Sequence, residues 1–313
     1  MHWRPRLAFG AVFLLFAMSL VFFYFNHRVA SDHVETRLTK VDSDSRGGGE
    51  CRQNKLNCAA TPNPLARTGT IWLEQMTWMD VRDAIAHGMS TVIIPTGGIE
   101  PSGPWLVLGK HNLILQSNCE AIARSLGTAL CAPIIAFVPE GDIEPPSGHM
   151  QSPGTISVSQ DTFRALLKDV ASSLRAHGFK AIFLIGDSGG NQDGQREIAK
   201  ALSLKWGASP LIAHIPEYYD YPGAIAYLSD QGIVARGSSS DGLHDDPAVS
   251  LNVFHMDPNG LRFDARVSRG EASIDGLSLM DRDKTQMAAK KLVAYRAERT
   301  VEAIRKRLAA HAQ

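Results

Sequence analysis

The chain has 313 residues, 44% of them hydrophobic and 20% charged, an ordinary globular composition that suits one large domain or two small ones. Its formal net charge is +0, from 32 Lys and Arg against 32 Asp and Glu. That balance excludes a basic nucleic-acid footprint, and no acidic tail points to a cationic partner.

Arg4 and Arg6 precede an uncharged run from Leu7 to Phe25, dense in Phe, Leu and Val. A membrane-spanning helix needs ~20 apolar residues and a cleaved signal core only ~7–15. The run fits the first length, and Asn26-His27-Arg28-Val29-Ala30-Ser31 is a poor cleavage site. Residues 1–28 are therefore expected to form a membrane anchor, or failing that a signal sequence. The positive-inside rule then places the bulk of the chain outside the cytoplasm, in a periplasm for a Gram-negative source. Residues 29–70 read as a flexible linker, with Arg46-Gly47-Gly48-Gly49-Glu50 and Thr61-Pro62-Asn63-Pro64. Cys51 and Cys58 lie close together, and an oxidising compartment permits a disulfide loop there. Cys119 and Cys131 sit in apolar context and read as small buried hydrophobes.

From about Ile71 helices and strands alternate. Thr77 to His87 reads as an amphipathic helix ended by Gly88, and Thr91 to Ile94 as a buried strand. A helix over Leu113–Leu126 stops at Gly127; Ala129–Ala132 and Ile134–Val138 read as strand. Ser159 is a candidate N-cap for a helix from Gln160 to His177, ended by Gly178. Strand Ala181–Ile185, helix Gln195–Trp206 and strand Pro210–Ile215 follow. A charged helix from Lys284 to about Leu308 closes the chain. This alternation predicts an α/β fold over residues 71–313, a three-layer α/β/α sandwich with a mostly parallel sheet.

Two loops follow predicted strands, where an open parallel sheet places its ligands. The first is Gly97-Gly98-Ile99-Glu100-Pro101-Ser102-Gly103-Pro104-Trp105, with Lys110 and His111 after it; the second is Gly186-Asp187-Ser188-Gly189-Gly190-Asn191. Glu100, His111 and Asp187 carry the donor atoms that a divalent cation needs. A longer segment supplies Glu140, Asp142 and His149, each a candidate for moving protons or serving the site. Asp241-Gly242-Leu243-His244-Asp245-Asp246 adds another imidazole followed by two acids, which can close a metal shell or relay protons. Ser102, Trp105, Lys110 and Asn191 are the candidate substrate-binding residues, and Tyr218-Tyr219 a candidate pocket wall. Ser188 follows a strand but lacks the G-x-S-x-G elbow, so a metal-free serine hydrolase is the third reading.

In this order the segments resemble the creatininase (creatinine amidohydrolase) family, whose pattern runs G-x-x-E-x-H-G-x-H-L-P-x-x-x-D, then H-x-x-x-P-G-T-[IL]-S, then N-G-H-G-G-N. The most specific matches are His149-Met150-Gln151-Ser152-Pro153-Gly154-Thr155-Ile156-Ser157 and the Gly189-Gly190-Asn191 ending. The resemblance implies a creatininase-like sandwich, hydrolysis of a C–N bond in a cyclic or linear amide, a divalent metal pair, and a homo-oligomer, often a hexamer. Glu100 matches a metal-binding Glu of the pattern. Ser102 and Trp105 stand where the pattern has His, His111 where it has Asp, and Ser188 where it has His. A rearranged shell of Glu100, His111, Asp187 and His244 is therefore expected, with zinc or manganese ahead of iron, and Glu140, Asp142, His149 and Ser188 as the catalytic set. The alternative is a non-catalytic descendant that binds a small polar ligand in the same cleft.

Overall fold

The computed structural model describes residues 54–235 and 245–312. The expected anchor, most of the linker, Cys51 and the Asp241–His244 segment lie outside them. Among the described residues no helix is long and apolar enough to cross a membrane.

Four strands form one fully parallel sheet: β1 (Thr91–Thr96), β2 (Ala129–Cys131), β3 (Ala181–Gly186) and β4 (Leu211–His214), in the order β2-β1-β3-β4. β1 and β3 are central and buried along their whole length, as their unbroken apolar runs require. Helix α1 (Trp78–Ala86) starts with a reciprocal cap between Thr77 and Asp80. Helix α2 (Lys110–Leu126) packs on β1 and β2, and α3 (Gln160–Ala176), capped by Ser159, packs on α4 (Asn191–Trp206). Both α2 and α4 begin one turn before the expected Leu113 and Gln195, and those extra turns carry Lys110, His111 and Asn191.

Between β4 and the end lie α5 (Tyr221–Asp230), α6 (Pro247–Met256), α7 (Phe263–Ser268) and a short hairpin of β5 (Ser273–Ile274) and β6 (Leu277–Ser278). The last helix, α8 (Arg282–His311), packs against α2 and α6. A second apolar cluster, including Leu228, Phe254, Leu261 and Leu292, fills the space among these helices. The expected strand Ile134–Val138 does not form. Ile135 bridges Thr96 and Val138 bridges Ser157, so no single partner runs alongside the segment.

Cys119 and Cys131 are buried, as expected, but they are bonded to each other across a sequence separation of 12, which ties α2 to β2. Cys58 is also disulfide-bonded. Replacing both Cys119 and Cys131 with alanine is expected to remove about 2–4 kcal/mol of stability, since the open chain regains loop freedom. Chemical denaturation of the double variant checks this; an unchanged midpoint contradicts it.

Candidate functional site

The site is built where β1 and β3 end side by side. After β1 the chain turns at Gly97-Gly98, and after β3, whose last residue is Gly186, at Asp187. Asn191, the first residue of α4, donates from Nδ2 to the carbonyls of Thr96 and Gly97, both at 2.9 Å, and so ties the two loops together. Glycine is required where a third segment closes on them. A Cβ on Gly98 would lie 2.1 Å from Glu140 Oε1, and one on Gly190 would lie 2.0 Å from the Pro139 carbonyl oxygen. That third segment is fixed by its own polar residues. Ser157 Oγ accepts from the Glu140 amide at 2.9 Å, the His149 amide donates to the Glu140 carbonyl at 3.0 Å, and Thr155 Oγ1 donates to the His149 carbonyl at 2.8 Å.

The side chains meet in one buried network. Glu100 Oε1 accepts from Lys110 Nζ at 2.6 Å and lies 2.8 Å from His111 Nε2. Its other oxygen, Oε2, faces His149 Nε2 at 3.2 Å. The His111 ring spans two carboxylates, because its Nδ1 lies 2.7 Å from Asp187 Oδ2. Asp187 also accepts from the Tyr221 hydroxyl at 3.0 Å and, through Oδ1, from Arg296 Nη2 at 2.8 Å. Ser188 Oγ donates to Glu140 Oε2 at 3.1 Å, while Glu140 Oε1 is buried and receives no hydrogen bond.

This packing sets the protonation states. Burial alone would raise Glu100, but His111 and, to a lesser degree, Glu140 and Lys110 reverse that and hold it well below the ordinary 4.5. Burial, together with the Glu100 carboxylate beside it, pushes Glu140 up to about 9. The His111 ring is raised above 6.5, because its two carboxylate partners outweigh burial and Lys110. Asp187 is lowered despite burial, by Arg296 and His111. The pair Glu100 and Glu140 thus divides into one ionised and one protonated carboxyl near neutral pH, an arrangement that recurs at catalytic sites.

A cavity of about 580 Å³ opens over the network, within the size range of small-molecule sites. Glu100, Lys110, His111, Glu140, Asp142, His149, Asp187 and Ser188 all line it. Asp142 is exposed and accepts from Ser147 Oγ at 2.8 Å, which makes it a turn residue at the wall. Three expected substrate contacts are not on the wall. Ser102 is buried and donates to the Pro101 carbonyl, Trp105 lies under the Arg266 guanidinium at 5.7 Å, and Asn191 faces the backbone of the first loop. His244 lies outside the described residues. Ser188 donates to a carboxylate rather than to an imidazole among the described hydrogen bonds, so the Ser–His pairing of a serine nucleophile is not formed. Sequence reading missed Arg296 and Tyr221, whereas Asp246 belongs to the fourth segment, whose acids it offered for closing a metal shell or relaying protons. Tyr221 and Asp246 line the cavity and Arg296 stands behind it, and neither Tyr221 nor Arg296 belongs to a motif.

Glu100, His111 and Asp187 meet, but as a chain of hydrogen bonds in which both imidazole nitrogens are engaged. A different set is arranged to hold a cation. Glu100, Glu140 and His149 each offer one atom within 4.8 Å of the others. Two carboxylates and an imidazole suit zinc or manganese, and the buried Glu140 Oε1 is an acceptor with nothing donating to it. The donors present therefore fit one divalent ion.

A family model described as creatinine amidohydrolase matches residues 74–255, which span all three loops. The chain belongs to the creatininase family. Among solved structures, a mutant creatininase of Zn-Zn type is 17% identical with a TM-score of 0.55, over 76% of this chain and 98% of that one. A manganese creatininase is 16% identical with a TM-score of 0.54, over 76% and 98%. A chain assigned as a creatinine amidohydrolase from Bacteroides fragilis NCTC 9343 is 18% identical with a TM-score of 0.52, over 75% and 97%. These likenesses establish the creatininase fold. No curated protein sequence matches the chain.

Proposed function

We propose that this creatininase-family chain hydrolyses a C–N bond of a small cyclic or linear amide with a divalent ion, zinc or manganese, held by Glu100, Glu140 and His149. The observation that carries the proposal is the convergence of those three donors on the wall of a cavity of about 580 Å³. When bound, such an ion polarises an amide carbonyl and lowers the pKa of a water to ~7.

The rest of the chemistry rests with the side chains. Lys110 and His111 fix Glu100 Oε1 and leave Oε2 turned toward His149. Ser188 holds Glu140 by one oxygen, which sets the direction of the other. Tyr219 lines the cavity with its hydroxyl pushed up to about 12 by burial, so it stays a hydrogen-bond donor for a substrate carbonyl at any working pH. Of the three cavity carboxyls outside the donor set, Asp187 is paired with His111 and Arg296 and Asp142 is exposed, whereas burial raises Asp246 above 3.8. Asp246 is thus the better proton donor to a leaving nitrogen. It also caps α6 through the Val249 amide at 2.9 Å, a bond that an asparagine oxygen can keep. Asp246→Asn is expected to retain the fold and lower kcat about 100-fold, the usual scale of a lost general acid. Circular dichroism beside steady-state kinetics checks this; an unchanged kcat removes Asp246 from the mechanism.

The same reading places the domain outside the cytoplasmic membrane, anchored by residues 1–28 and assembled as a homo-oligomer. The Cys119–Cys131 disulfide and the bonded Cys58 support an oxidising compartment. An oligomer of anchored chains requires every anchor to emerge toward one membrane.

One observation favours a second reading, a binding protein without turnover. Lys110 and His111 both sit on Glu100, the residue expected to hold metal. Assay of a panel of cyclic and linear amides, with and without added zinc or manganese, separates the two. Metal-dependent turnover that Glu100→Gln abolishes in a folded protein establishes the hydrolase; binding of amides without turnover by the metal-loaded protein establishes the binder.

A further inference from the structure

Resting on the hydrolase reading, we infer that Lys110 is a built-in cation that takes one side of the Glu100 carboxylate, so that the site accepts a single divalent ion rather than a pair. The two oxygens of Glu100 face different partners. Oε1 is held by Lys110 Nζ at 2.6 Å and by His111 at 2.8 Å; Oε2 is turned to His149 at 3.2 Å. Lys110 is 1% exposed and, among the described residues, is the largest charged side chain buried at this depth. An ammonium in that position is a fixed point charge with three donors and no capacity to ligate.

The remaining donors are divided in the same way. On the Lys110 side the described donors of the network are already taken up. Both His111 nitrogens are engaged, and Asp187 is satisfied by His111, Tyr221 and Arg296. On the other side Glu140 Oε1 is buried with no hydrogen bond directed at it among the described residues, so once its proton leaves an acceptor stands open there. Charge agrees. Leaving the imidazoles and Asp246 aside, and with Glu140 giving up its proton as it takes the ion, the carboxylates of Glu100, Glu140 and Asp187 face two fixed cations, Lys110 and Arg296. The single negative charge left over is more than offset by one divalent ion, and a second ion would bury a large uncompensated positive charge.

Equilibrium dialysis of the full chain against zinc and against manganese, read by elemental analysis, tests this. One ion per chain is expected for the wild type and none for Glu140→Gln. Lys110→Gln, which removes the ammonium but keeps a hydrogen-bond donor, is expected to bind its first ion at least tenfold more tightly. Lys110→Met gives a second, shape-matched removal of the charge, and the wild-type stoichiometry needs no variant at all. Two ions on the wild type, or affinity unchanged in a folded Lys110 variant, overturns the inference and leaves the hydrolase reading standing. No ion on either protein overturns both.

Discussion

Replacing Arg296 with alanine is expected to lower the thermal midpoint by roughly 10 °C, the scale set by about 3–5 kcal/mol for orphaning a buried charge in a domain of this size. Arg296 reaches in from α8, is 4% exposed, and donates to Asp187 at 2.8 Å and to the Tyr218 carbonyl at 3.2 Å. Its guanidinium is also stacked between the Tyr218 and Tyr221 rings, 4.5 and 4.8 Å from their centroids. Alanine leaves Asp187 fully buried without its cation. Asp187 must then take up a proton, and its hold on His111 weakens. The loss travels along the hydrogen-bond chain to Glu100, so metal affinity is expected to fall together with stability. Arg296→Lys restores the charge but not the planar fork that stacks between two rings, and is expected to recover only part of the midpoint. Differential scanning calorimetry of the three proteins decides this. A midpoint for Arg296→Ala within about 2 °C of the wild type would show that the ion pair contributes little.

Glu140→Gln has the opposite profile, a retained fold with lost chemistry. The Glu140 carboxyl is pushed up to about 9, so near neutral pH the free protein holds it protonated. An amide is a close mimic of that acid and should pack without strain. It cannot give up a proton to become a charged ligand, so metal affinity is expected to fall at least 100-fold and metal-dependent turnover with it. The pH dependence carries the same signature. Below the ordinary 4.5 both the folded and the unfolded chain hold the proton. As the pH rises the unfolded chain releases it while the folded chain keeps it, so this group's contribution to stability falls steadily until about 9. Glu100 and Asp187 act in the other direction, since their lowered values contribute stability above the ordinary carboxyl range that is lost in acid. Denaturation of wild type and variant from pH 5 to 9 separates these contributions. The wild type is expected to lose stability relative to Glu140→Gln as the pH rises; parallel curves contradict the assignment. In the metal-bound protein that proton must leave, so ion binding near pH 8 is also expected to release protons into the buffer.

The sheet was legible because its central strands are buried on both faces. Val92, Ile93 and Ile94, and Ile182 to Ile185, are continuous apolar runs with zero exposure, and no competing period disguises them. The starts of α2 and α4 were not legible, for a reason tied to the site. Lys110, His111 and Asn191 are buried polar residues on the first turns, and burial of such residues reverses the apolar pattern that marks a helix face. The donor residues of the three loops were readable one by one. Their grouping was not, because it depends on how Gly98 and Gly190 let the Glu140 segment close on the other two. Residue type and order point Glu140 and His149 to proton movement and His111 to metal; the geometry places His111 between two carboxylates and brings Glu140 and His149 to the open side of Glu100. Arg296 gave no signal, being one of many charges on a long helix, and only the tertiary packing of α8 against the sheet delivers it to Asp187.

The central claim is that one divalent ion bound by Glu100, Glu140 and His149 equips this creatininase-family chain for amide hydrolysis. Anomalous diffraction at the zinc edge, from crystals of the metal-loaded protein, tests it most directly. The account predicts a single peak within bonding distance of all three side chains, with Lys110 still paired to the far oxygen of Glu100. A peak between His111 and Asp187 instead, or Lys110 displaced by a second ion, would contradict it.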